Sequence, residues 1–207
     1  MAQFFSIHPD NPQPRLIGQA AAILRGGGVA AYPTDSCYAL GCLPGDKAAV
    51  ERIIRIRRLD PGHHLTLLCR DLSEIGVMAR LDNRAFRLLK KLTPGPYTFL
   101  LRASRDVPRR LQHAASRTIG IRVPDNTITL ALLEALGEPL LSTSLILPGQ
   151  EHPETEAREI DRTLGTRIDL IIEGGVTGME QTTVVDLSGD TPVIVREGKG
   201  DIAGIIG

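Results

Sequence analysis

The stretch Gly26-Gly27-Gly28-Val29-Ala30-Ala31-Tyr32-Pro33-Thr34-Asp35-Ser36 carries the unit from which the fold is read. Upstream, Leu16, Ile17, Ala20, Ile23 and Leu24 recur at helical spacing, and the three glycines end that helix. Residues 29–32 are then short, apolar and closed by Pro33, which predicts a buried strand. Thr34-Asp35-Ser36 follows as a polar turn just past the strand, where ligands of open α/β sheets bind.

The same alternation runs outward from this unit. Pro44-Gly45-Asp46 is a turn. Residues 46–59 predict a helix with Val50, Ile53 and Ile54 on one face and Arg52, Arg55 and Arg58 on a neighbouring one. Residues 65–69 predict a strand, 82–92 a helix, 93–96 a rigid loop and 97–102 a strand. Residues 118–123 read as a strand and 126–136 as a helix stopped by Gly137. Residues 140–147 read as a strand and 154–164 as a helix. Strands over 169–172, 182–187 and 193–196 close the chain without helices between them. Interleaved strands and helices predict an α/β fold, and the closing strands predict a twisted mixed sheet flanked by helices. A length of 207 residues fits one domain, 1–207.

The formal net charge is zero, so the informative feature is its distribution. From Glu51 to Arg122 there are sixteen Arg/Lys against six Asp/Glu, and from Val123 onward five against fifteen. Cys37, Cys42 and Cys69 are an odd count with no zinc or redox spacing, and read as reduced thiols. The N-terminus lacks the basic and apolar regions of a signal peptide, and no apolar run reaches the roughly 20 residues of a membrane span. A cytoplasmic protein without membrane partners is the expectation.

Four segments carry candidate chemistry. Thr34 and Ser36 can hydrogen-bond a phosphate or carboxylate, and equally form an ordinary polar turn. Arg52, Arg55, Arg57 and Arg58, followed by His63 and His64, suit phosphate oxygens; a solvated helix face paired with Glu51 and Asp60 explains them as well. No carboxylate or cysteine accompanies the two histidines at metal spacing. Ser142 and Ser144 fall on one face of their strand and Thr143 on the other, giving two hydroxyls for a groove or for backbone partners. Arg196 ends the last strand and either reaches over a cleft or pairs with Glu197. There is no Walker loop, GxGxxG or HExxH, and no Ser/His/Asp set is evident.

Several blocks in order are more specific than any one of them. YPTDSCYALGC from Tyr32, TPGPYTFLL from Thr93, IGIRVPDN from Ile119, PLLSTS from Pro139, TTVVDL from Thr182 and VIVREG from Val193 together resemble the YrdC/YciO family. The best-known members of that family make threonylcarbamoyl-AMP for tRNA modification. FFSIHPDNPQ near the start and the RIRRL…CRDLSE block are most similar to the YciO branch. The resemblance implies a YrdC-like fold, an open twisted sheet with a large concave basic cavity that holds ATP and L-threonine as substrates, with Mg²⁺. By motif, Thr34 lies by the threonine or carbamate, and Arg55 and Arg57 meet the nucleotide phosphates, these three carrying the catalysis. Arg122, Ser142, Ser144, Thr183 and Arg196 line the rest.

Two departures accompany the match. The synthases carry Lys-x-Arg where this chain has Arg55-Ile56-Arg57, followed by a longer loop through His64. They read STSAN where this chain reads Ser142-Thr143-Ser144-Leu145-Ile146. Losing one hydrogen bond to a charged group costs about 1.5–3 kcal/mol, or roughly 10- to 150-fold in affinity. Two functions follow as expectations. One is a nucleotidyltransferase of the threonylcarbamoyl-AMP synthase type. The other is a protein of the same fold that binds tRNA, rRNA or double-stranded RNA without synthase chemistry. Aromatic residues at only 3% suit shape recognition of a duplex better than base stacking.

Overall fold

Helices in the computed structural model, which describes residues 1–60, 63–203 and 205, start where the sequence supplies an acceptor. Asp46, Asp71, Asp82 and Asn126 each accept the backbone N–H three residues on, at 2.7–3.0 Å. That bond satisfies a donor every helix start leaves open and contributes about 1 kcal/mol. The helices after these caps are α2 (Lys47–Arg57), α3 (Leu72–Met78), α4 (Asn83–Leu92) and α5 (Thr127–Leu136). α1 (Pro14–Arg25) begins on a proline, whose missing N–H is no loss at that position, and α6 (Ala157–Leu164) follows an extended Glu156.

The strands are β1 (Gln3–Ser6), β2 (Ala30–Tyr32), β3 (Ala39–Cys42), β4 (Thr66–Leu68), β5 (Tyr97–Arg102), β6 (Thr118–Arg122), β7 (Leu140–Ser144), β8 (Leu170–Glu173), β9 (Thr183–Asp186) and β10 (Val193–Arg196). They form one sheet in the order β1-β8-β2-β3-β7-β4-β6-β5-β9-β10. The pairs β1/β8, β2/β8, β4/β6 and β5/β9 are parallel, and the other five are antiparallel. The expected mixed α/β sheet is the observed one.

The two faces of this sheet are treated differently. Ala31, Leu40, Leu141, Leu67, Ile121 and Phe99 point to one face, and α2, α3, α4 and α6 bury it. Ala30, Tyr32, Ala39 and Leu170 point to the other, where α1 and α5 lie over the β1-β8-β2-β3 side. No described helix packs over the remaining side of that face, along β7, β4, β6, β5 and β9. There the floor changes from Ala and Leu to Ser, Thr and Arg.

Three elements escape periodicity. β3 is Ala-Leu-Gly-Cys, buried on both faces, so it shows no alternation. Its Gly41 is required: a Cβ there would stand 2.7 Å from Tyr32 Oη and 2.8 Å from the Leu141 carbonyl. β1 is an edge strand with its side chains mostly exposed. α3 spans only 7 residues and contains Gly76. Other boundaries move for local reasons. The strand expected over 140–147 stops at Ser144, ahead of a turn in which Gln150 N donates to Leu147 O at 3.0 Å. The helix expected from 154 starts at Ala157, because Glu154 N is turned back onto Leu145 O at 2.9 Å. On α2 the buried stripe is Val50, Ile53 and Ile56, with Ile54 only half-buried. Of the irregular loop after α2, Pro61 and Gly62 lie outside the described residues.

Candidate functional site

Alternation along the uncovered strands decides which side chains floor a groove of about 420 Å³. Thr66 on β4 pairs with Ser142 on β7 and Gly120 on β6; Leu68 pairs with Arg122; Thr98 on β5 pairs with Val184 on β9. All but Gly120 line the cavity. Gly120 keeps the floor low, since a Cβ there would meet Thr66 Oγ1 at 2.8 Å and Leu65 O at 3.0 Å.

The turn after β2 forms one wall. Thr34 Oγ1 donates to Cys37 O at 2.7 Å and accepts from the backbone N–H groups of Ser36 and Cys37, both at 3.2 Å. Its hydroxyl proton and both lone pairs are therefore committed to holding the turn, so Thr34 lines the cavity without a spare hydrogen-bonding position. Arg122, at the end of β6, braces this turn from across the sheet. Its Nη2 is ion-paired with Asp35 and its Nη1 donates to Ser36 Oγ at 3.2 Å. Lys199 Nζ also donates to Asp35 O. Arg122 is only 6% exposed, so this is a buried pair, and its Nε has no partner among the described residues.

Two further guanidiniums reach the groove. Arg57, the last residue of α2, has a buried Nε without a partner among the described residues. Arg196, at the end of β10, is pinned by Thr182 O at 2.9 and 3.2 Å and by Gln181 Oε1 at 2.8 Å, neutral acceptors throughout. Burial pulls both guanidiniums below the usual arginine range, partly offset by the nearby Cys37. Among the described residues lining the cavity there is no carboxylate. Among the described residues the lining thus carries more cationic charge than carboxylates neutralise, a balance that suits an anion.

Histidines close the other end. His63 lines the groove, with its pKa lowered first by burial and then by Arg57, His64 and Arg196, against Asp60. His64 stacks on His113 with ring centroids 4.3 Å apart, and lies 3.1 Å from Thr118 Oγ1 through Nε2. Burial and His113 lower its pKa against Asp186.

Of the residues expected from sequence, Thr34, Arg57, Arg122, Ser142, Ser144 and Arg196 come together here. Two others fall outside the lining. Arg55 lies outside the lining and is exposed, because two residues of helix turn it about 200° from Arg57. Thr183 sits on the opposite parity of β9, fully buried, donating to Gly200 O at 2.6 Å. Its neighbour Thr182 lines the groove instead, 2.8 Å from Thr98 Oγ1. Ile146 is half-buried and also outside the lining. Sequence reasoning missed Thr98, Thr182 and the Asp35–Arg122 pair. Strand parity marks Thr98 as a face residue, but nothing local links Asp35 to a residue 87 positions away.

The lining does not fit a protein-held Mg²⁺. Such an ion takes oxygen ligands, carboxylates foremost, whereas the charged groups here are cations. Among the described residues no group of three or more His, Cys, Asp and Glu is placed to hold a metal. An Mg²⁺ chelated by nucleotide phosphates belongs to the substrate. Among the described residues no helix is long and apolar enough to cross a membrane, and all three cysteines are buried and free.

Comparison with known proteins gives a consistent picture. The Sua5/YciO/YrdC family model, described as "Telomere recombination", matches residues 22–198. YciO of Escherichia coli K12, named as uncharacterized, is 60% identical over 98% of both chains. The crystal structure of E. coli YciO superposes with a TM-score of 0.97, at 59% identity over 100% of both chains. The threonylcarbamoyl-AMP synthase of Halorhodospira halophila is 33% identical, covering 86% of this chain and 92% of that one. The Sua5 of P. abyssi, solved in complex with L-threonine, matches with a TM-score of 0.87 at 29% identity, over 95% of this chain and 58% of that one.

Proposed function

This chain belongs to the Sua5/YciO/YrdC family, and we propose on that premise that its groove joins ATP, L-threonine and bicarbonate into threonylcarbamoyl-AMP, the activated group for tRNA modification. The observation that carries this reading is the acid-free lining around Arg57, Arg122 and Arg196. Its volume, about 420 Å³, falls in the range of small-molecule sites and does not admit a duplex.

The chemistry asks little of the protein beyond placement. The free amine of threonine and bicarbonate give a carbamate and water. A carbamate oxygen then attacks the α-phosphorus of ATP, and the bond to pyrophosphate breaks. Negative charge builds on the leaving pyrophosphate, and Arg57 and Arg196 are the cations available to hold it. The Arg122–Asp35 pair fixes the turn of Thr34, so that threonine is seated against a rigid wall. Orientation of three reactants in one site supplies most of the acceleration.

Pyrophosphate release is the measurement. With ATP and Mg²⁺ present, release is expected to require both threonine and bicarbonate, with a threonylcarbamoyl adenylate as the second product. Release that ignores threonine, or no release at all, sinks this reading.

A further inference from the structure

Tyr32 is fully buried, yet its hydroxyl reaches the floor of the groove. The side chain starts on β2, crosses β3 and meets Ser142 on β7. It passes over Gly41, which pairs with Ser142 across the β3–β7 ladder. A Cβ at Gly41 would stand 2.7 Å from Tyr32 Oη and 2.8 Å from Tyr32 Cε1, so the glycine is the gap through which the ring reaches. Tyr32 Oη donates to Ser142 Oγ at 2.7 Å, and no other acceptor serves it among the described residues. The direction of that bond follows from burial. A phenol proton sealed from water is costly unless it is donated, so Tyr32 gives its proton and Ser142 accepts it. Burial, opposed by Ser142 and Arg122, also lifts the Tyr32 pKa far above the usual phenol range, so the group stays a donor at any working pH.

Ser142 Oγ still carries one proton of its own. That proton has no acceptor among the described residues, and Ser142 lines the groove. Other hydroxyls of the lining are spent on the protein: Thr34 donates to Cys37 O, and Thr98 and Thr182 face each other at 2.8 Å. We infer that Tyr32 is a positioning residue, which fixes Ser142 as a hydrogen-bond donor to an anionic oxygen, phosphate or carboxylate, of the groove ligand. With Tyr32 on one of its lone pairs, the Ser142 proton is kept off the phenol and left for the groove. A hydroxyl that accepts one bond donates a stronger second one. Arg122 lies within electrostatic reach of the same phenol, so a cation and a hydroxyl donor serve one part of the groove. The inference rests on the anion-binding groove of the proposed function, not on the reaction assigned to it.

The chain has three tyrosines and no tryptophan, so its near-ultraviolet absorption reports chiefly on tyrosine. The test titrates the whole chain with pyrophosphate and, separately, with L-threonine, neither of which absorbs there. At least one is expected to give a tyrosine difference spectrum, because an anion that takes the Ser142 proton strengthens the Tyr32 bond. Which probe gives it separates a phosphate oxygen from a carboxylate oxygen. The signal is expected to vanish in Tyr32→Phe and in Ser142→Ala, and to persist in Tyr97→Phe, whose hydroxyl bonds Asp201 O. Ser142→Ala is expected to weaken that probe by about 10- to 150-fold and Tyr32→Phe by about 2- to 12-fold. Y32F/S142A is expected to bind as Ser142→Ala does, since the pair acts as one unit, and to melt above it, since no phenol is stranded. A Tyr32→Phe chain that keeps full affinity, keeps the signal, or adds its whole loss to that of Ser142→Ala overturns the inference. So does an unaltered chain that binds neither probe. A chain that meets every expectation but releases no pyrophosphate from ATP with threonine and bicarbonate overturns the proposed reaction alone.

Discussion

Two sets of arginines face two hollows on this molecule, and they are built on opposite terms. Arg122 is buried and Arg57 half-buried, and Arg196, though exposed, is fixed by named acceptors as Arg122 is. Arg80, Arg102, Arg105, Arg109 and Arg117, around an outer hollow of about 830 Å³, stand in solvent and carry no ion pair among the described residues. Burial together with fixed acceptors makes the difference. A guanidinium removed from water must be compensated inside the protein or by a ligand, whereas one left in water needs neither. The groove can therefore bind a small anion tightly and specifically, while the charges of the outer hollow are screened by solvent and salt.

The sharpest way to break this comparison is at Arg122. Replacing it by methionine removes the charge facing Asp35, whose Oδ2 is already without a partner among the described residues. Stranding one member of a buried pair costs about 3–5 kcal/mol, and urea melts of Arg122→Met are expected to fall in that range. Adding Asp35→Leu is expected to recover much of the loss, because the stranded carboxylate goes with it. Full stability in the single variant shows that the pair is not buried in solution.

Arg57 behaves differently, although it lines the same groove. Its Nε is buried without a partner among the described residues, and burial already disfavours its charge. Arg57→Ala is expected to leave melting unchanged while weakening ATP binding by about 10- to 150-fold, the range for one charged hydrogen bond. Arg55→Ala, two residues away and exposed, is expected to bind ATP as the unaltered chain does. Calorimetric titration of the two variants checks the placement directly, and equal losses break it.

That pair of variants also marks what sequence can reach. Helix starts were legible because Asp46, Asp82 and Asn126 act locally, through a backbone N–H three residues on. Half the groove floor was legible too, since parity put Ser142 and Ser144 on one face. Motif pointed to Thr183, which lies outside the groove lining, and strand parity separates it from Thr182, which lines it. Arg55 and Arg57 are indistinguishable as letters in a basic run, and only the rotation of α2 separates them. β3 left no periodic trace because burial on both sides erases alternation, and the Asp35–Arg122 pair joins residues that follow β2 and end β6, 87 positions apart in sequence. Local rules reached local structure, while charge compensation is a property of the assembled fold.

Proton uptake at His63 sharpens the comparison further. Burial, with Arg57, His64 and Arg196, holds its pKa below the ordinary value of about 6.5, and Asp60 opposes them weakly. Below that value the unfolded chain takes up the proton and the folded chain resists it. The stability the neutral ring supplies is present above pH of about 6.5 and is lost as pH falls through the folded value. An anion between Arg57 and Arg196 reverses this preference, because it favours the imidazolium. Sulfate, whose charge is constant over the range, is expected to bind more tightly as pH drops from about 7 to about 5.5. His63→Gln is expected to flatten both dependences, and a sulfate affinity that stays level in the unaltered chain contradicts the assignment.

The smallest effect belongs to the outer hollow, and its sign matters more than its size. Arg105 and Arg109 are exposed and touch no carboxylate among the described residues, so nothing is stranded when either is removed. Surface replacements of this kind change stability by less than about 0.5 kcal/mol. What remains is mutual repulsion within the five-arginine set, which each Arg→Ala change relieves. R105A/R109A is therefore expected to melt at or slightly above the unaltered chain, with the gain shrinking as salt is added, because screening already weakens the repulsion. A clear loss instead would mean that these side chains have partners in the folded protein, and the outer arginines would then belong with the groove set.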